Sequence, residues 1–71
     1  MRLNNIYILK TKSQVDGKWT YWNGSFWGFF NEAFGFEQGL AIKQKEMLQN
    51  LINKEIIIMP LIQEIAEVII I

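Results

Sequence analysis

The sequence predicts a small α+β domain in the order β-β-β-α-β, with a three-stranded antiparallel meander, one amphipathic helix and a C-terminal strand segment. Three observations predict it. Two Asx-Gly pairs, Asp16-Gly17 and Asn23-Gly24, separate β-prone runs as hairpin turns do. A stretch starting near Gln38 sets apolar side chains at helical spacing among good helix formers. The C-terminal stretch from Ile56 to Ile71 is dominated by Ile and Val, whose β-branching favours strands.

The first strand is expected over Asn5 to Lys12, where β-branched and aromatic residues lead into an alternating tail. Asp16-Gly17 turns the chain into a second strand, Lys18 to Trp22, and Asn23-Gly24 turns it again into a third, Ser25 to Phe30. Asn31-Glu32-Ala33 suits a cap and one helical turn, and Gly35 makes a break before Phe36. The main helix follows from about Gln38 to Asn53. Its apolar face is read as Leu40, Ala41, Met47, Leu48, Leu51 and Ile52, with Lys43, Gln44, Lys45, Glu46, Gln49 and Asn50 largely opposite. Ile56 to Ile71 is read as extended. Its alternative is a short helix from Pro60 to Glu67 before a terminal strand, because Leu61, Ile62, Ile65, Val68 and Ile69 also fit a helix period and Pro is tolerated in a first turn.

A chain of 71 residues forms one domain, 1–71, and has no room for a second core. It contains neither Cys nor His, which removes disulfide frameworks, thiolate nucleophiles, Cys or His zinc sites and imidazole catalysis. Net charge is zero, so no global field draws it to nucleic acid or to anionic lipid. The longest unbroken apolar run, Ile56 to Ile62, is far short of the roughly 20 residues that cross a bilayer. The N-terminus lacks the apolar core of a secretory signal, and a cytoplasmic location is the expectation.

Half of the residues are hydrophobic, and they are unevenly placed. Nine of the ten aromatics lie between Trp19 and Phe36, and nine of the twelve isoleucines between Ile52 and Ile71, so the chain has an aromatic half and an aliphatic half. Two-residue turns in both hairpins would pair Tyr21 with Phe26 and Lys12 with Tyr21. One sheet face then holds Tyr7, Leu9, Trp22, Trp27 and Phe29, ready to receive the helix. The opposite face holds Ile6, Ile8, Lys10, Lys12, Trp19, Tyr21 and Phe26.

Lys10, Lys12, Trp19, Tyr21 and Phe26 are the candidate binding residues. Aromatic rings beside lysines on an open sheet stack the bases of single-stranded nucleic acid and meet its phosphates. Against this stands the plainer reading that lysine stems lie over the rings and that the C-terminal segment or a second copy covers the face. Ile56, Ile58, Ile65, Ile69 and Ile71 are the candidate oligomer interface, since an isoleucine-rich tail left as a free edge would aggregate. No catalytic set, metal site or cofactor is expected: the carboxylates Asp16, Glu32, Glu37, Glu46, Glu55, Glu64 and Glu67 belong to turns and solvated faces. The glycines fit no phosphate-loop pattern.

The succession of Tyr7-Ile8-Leu9-Lys10, Tyr21-Trp22-Asn23-Gly24, Trp27, Ala33 with Phe36 three residues on, one helix and an Ile-Pro strand resembles the layout of small uncharacterised bacterial and phage-type proteins. That resemblance implies the fold and no activity. The expected function is a non-enzymatic protein-interaction domain that self-associates, as a dimer in the first instance, with an unnamed macromolecular partner and no membrane. Single-stranded nucleic-acid binding is the alternative.

Overall fold

The computed structural model describes residues 5–70, with side chains through Val68. Strands β1 (Tyr7–Lys12), β2 (Trp19–Trp22) and β3 (Trp27–Gly28) form the antiparallel meander. Helix α1 (Gln38–Gln49) follows, then β4 (Ile57–Pro60), and the chain turns at once into a helical segment, α2 (Leu61–Ile65), continued by a wider helical turn over Ala66–Ile70. The sheet has four strands in the order β3-β2-β1-β4, with β4 antiparallel to β1. The α+β class is therefore as the sequence predicts. No helix among the described residues is long and apolar enough to cross a membrane.

Both turns differ from the two-residue loops the Asx-Gly pairs suggest. Lys10 lies opposite Tyr21 and Lys12 opposite Trp19, so the first loop is longer, closed by Ser13 N–H donating to Lys18 O at 2.8 Å. Trp22 pairs with Trp27, and the second turn centres on Gly24-Ser25 instead of Asn23-Gly24. Asn23 explains that shift: its Oδ1 accepts from the Ser25 and Phe26 N–H groups, the use to which an Asn side chain is put at the start of a turn. Gly24 takes φ +103°, open to glycine and strained for any other residue.

The third strand is cut to two residues because the chain leaves the sheet at Phe29. Phe30–Glu32 form one tight helical turn, and the Glu32 Oε1 reaches back to accept the Phe29 N–H at 2.9 Å. Gly28 leaves space for that carboxylate, since a Cβ there would stand 2.5 Å from Glu32 Oε1. Phe36 then bonds to Tyr7 in both directions, at 2.7 and 2.8 Å, and takes the place beside β1 that β2 has vacated.

One face of the sheet carries the main core. Leu9, Ala41, Leu48 and Ile56 are buried together, with Tyr7, Trp22, Trp27, Phe36, Ile52 and Ile58 packed around them. This is the face the alternation assigns to the helix, apart from Phe29, which stands out in solvent. The other face is covered by α2. Leu61 N–H donates to Ile6 O at 2.8 Å, which ties the start of α2 to the entry of β1. The extended reading of the tail thus holds only to Pro60; beyond it the helix of the alternative is observed, but the terminal strand expected after that helix is not, since Ala66–Ile70 remain helical. Leu61 onward cannot continue the strand and also cover Ile8, Lys10 and Tyr21, all of which are buried in the structure.

Candidate functional site

The lysine–aromatic face is the first surface to locate. β1 and β2 do place Lys10, Lys12, Trp19 and Tyr21 on one side, as alternation requires. They do not form an open platform. Glu64, on the inner side of α2, accepts from Lys10 Nζ at 2.8 and 3.1 Å and from the Tyr21 hydroxyl at 2.5 Å. Lys10, Tyr21 and Glu64 are exposed by only 5%, 4% and 1%, so no reactant or base reaches them while α2 is docked. The Phe30 ring closes the side, edge-on to Tyr21 at 5.3 Å between centroids. Lys10 Nζ also lies 4.2 Å from the Trp19 ring centre, and Lys12 Nζ 5.2 Å from it, so lysines cover the ring as the plainer reading has it.

Glu64 therefore corrects the assignment of that residue to a solvated edge. A buried carboxylate needs a cation, and Lys10 supplies it. Burial, the hydrogen bond to Glu64 and the charges of Glu64 and Glu67, in that order, push the Tyr21 hydroxyl above its ordinary pKa of 10.0 and hold it as a neutral donor. Of the five binding candidates, Lys12, Trp19 and Phe26 stay at the surface, with Phe26 more than half exposed. Among the described residues no three metal-ligating side chains come together.

The isoleucine candidates are likewise divided. Ile56 is completely buried in its own chain and Ile58 packs against the same core, because β4 inserts beside β1 and turns Ile58 toward Leu9. Ile56 is thereby withdrawn from contact with a second copy, and Ile58 keeps only part of its surface open. Ile65 is half-buried. The side chain of Ile69 and all of Ile71 lie outside the described residues.

Beside the exposed Val15, Phe26 and Phe29 of the meander, a further run of exposed apolar side chains lies on α1. Ala41 and Leu48 enter the core, but Leu40, Met47 and Leu51, read from the sequence as part of the same buried face, are 52%, 51% and 74% exposed. The apolar sector of the helix is wider than the sheet beneath it. Its open flank continues onto Phe34, half exposed, in two shallow grooves: Leu40 lines one with Phe34 and Phe36, and Gln44 lines the other with Phe34, Phe36 and Trp22. The Trp22 indole N–H is buried there without an acceptor. The signal for this surface is present in the sequence, since Leu40, Gln44, Met47 and Leu51 fall on a line about a quarter turn from Ala41, Leu48 and Ile52. Periodicity alone does not say which of two adjacent lines faces the sheet.

Comparison with protein-family models, with curated proteins and with solved structures finds no match. The likeness to small bacterial and phage-type layouts gains no support from it.

Proposed function

We propose that the chain is a non-enzymatic protein-interaction domain that self-associates through the open flank of α1. One observation carries the reading: Leu40, Met47 and Leu51 are exposed along one line of α1, and Leu40 shares a groove with Phe34, on a chain of zero net charge. Exposed apolar side chains grouped in this way mark interaction sites on small proteins. A small core adds to the argument, because association is one of the ways such domains gain stability. Nucleic-acid binding has less in its favour, since Lys10 and Tyr21 lie beneath α2.

Sedimentation velocity over a dilution series tests the reading. A reversible shift from dimer to monomer is expected, and Met47→Asp should give a monomer with an unchanged circular-dichroism spectrum. A wild-type chain that sediments as a monomer at every concentration overturns it.

A further inference from the structure

Leu40, Gln44, Met47 and Leu51 recur at intervals of four, three and four residues, the spacing of one coiled-coil seam. At about 100° per residue they fall in a sector roughly 60° wide. Leu51 lies just past α1, but the chain there keeps helical hydrogen bonding, with Ile52 N–H donating to Leu48 O at 3.1 Å. The two flanks of this seam are unlike. On one side Ala41 and Leu48 lie under the chain's own sheet, while on the other Lys43 and Asn50 are exposed, with Glu46 one step further out.

We propose that two copies pair through this seam with their α1 helices antiparallel about a two-fold axis, a geometry that rests on the self-association reading above. In a parallel pair opposite flanks meet, which sets Lys43 against the side that the partner's sheet already covers. In an antiparallel pair each flank meets its own kind. Leu40 then packs on the partner's Leu51, Gln44 on the partner's Met47, and Lys43 faces the partner's Asn50 with the partner's Glu46 just beyond. Each contact occurs twice, as an isologous interface requires. The charges agree with this arrangement: Lys10–Glu64 is the one ion pair among the described residues, so Lys43 and Glu46 have no ionic partner among them. Opposed helix dipoles favour it as well.

The absence of cysteine makes the geometry directly testable. Met47→Cys, Leu40→Cys and Leu51→Cys are prepared singly, checked for native circular dichroism, and treated with a short bifunctional thiol cross-linker. Met47 lies next to the axis, so M47C is expected to link to itself. L40C and L51C each lie about 16 Å along the helix from their own copy, at 1.5 Å per residue, and should link only when the two variants are mixed. Equal self-linking by all three variants would mean a parallel pair, and failure of M47C to link in a sample that sediments as a dimer would mean another face. Either result overturns the antiparallel seam and leaves self-association standing, whereas a monomer in sedimentation removes both. Lys43→Glu should in addition weaken association several-fold, and Asn50→Lys on top of it should restore it.

Discussion

A carboxylate with 1% exposure is tolerable only while its donors stay in place, and Glu64 has two, Lys10 and Tyr21. Removing the acceptor leaves an ammonium buried without a partner, which costs about 3–5 kcal/mol. In a domain this small Glu64→Ala should therefore be largely unfolded even without urea, as its circular dichroism would show. Replacing all three groups by apolar ones of similar volume, Lys10→Met with Tyr21→Phe and Glu64→Leu, should recover that loss to within about 1 kcal/mol, because no charge is then left unpaired. A triple variant as unstable as Glu64→Ala would show that the cluster is favourable in itself. Tyr21 adds a dependence on pH. Its folded pKa is raised above the unfolded value of 10.0, so its contribution is complete below pH 10 and is lost as pH rises beyond it toward the folded value. Unfolding free energies from urea titrations at pH 8 to 11 should fall above pH 10, by up to about 1.4 kcal/mol per pH unit for one proton, and Tyr21→Phe should flatten that part of the curve.

Along α1, neighbours on the helix surface should differ sharply in their effect on stability. Leu48 is 4% exposed against the core, so Leu48→Ala is expected to cost about 2–5 kcal/mol, whereas Leu51→Ala, 74% exposed, should change monomer stability by less than about 0.5 kcal/mol. Urea titration under dilute conditions measures both, and similar losses would place Leu51 in the core. The same element shows where legibility ends. The period of α1 was readable, but the rotation that buries Ala41 and Leu48 and exposes Leu40 and Met47 depends on the sheet it meets. The strands make the opposite case. The Asx-Gly pairs lie one residue from the true centres of both turns, yet alternation still assigns the strand faces, Phe29 apart, with Leu9, Trp22 and Trp27 together on one side. Moving the centre of a hairpin by one residue shifts the register by two, and a shift of two preserves which side each residue faces. The tail failed for a different reason. Leu61 to Ile65 has strand-like composition, and its helix is fixed by tertiary demands that propensity does not contain: Ile8 and Tyr21 need a cover, and Lys10 needs Glu64. No spacing in the sequence links positions 10 and 64, so the buried pair could be found only by placing both elements on the sheet.

A domain of 71 residues with six buried hydrophobic side chains among those described has little stability to lose, since one core of this size gives about 3–5 kcal/mol. Whatever binds the folded state and not the unfolded one then forms a large share of the total. If the second copy is that ligand, thermal stability must depend on protein concentration. At a concentration near 100 times the dissociation constant the gain is on the order of 2 kcal/mol per protomer, and each kcal/mol moves Tm by about 4–8 °C in a domain this small. Dilution of the wild-type chain through that range should lower Tm by on the order of 10 °C. Met47→Asp, at an exposed position outside the core, should show one Tm at every concentration, equal to that of the wild type at high dilution. The comparison separates two roles for the flank of α1: a residue that merely supports the fold would lower Tm at all concentrations alike, whereas a residue that joins two copies lowers it only where copies are joined. A wild-type Tm that ignores dilution would leave Leu40, Met47 and Leu51 as exposed apolar surface with no second copy to cover it.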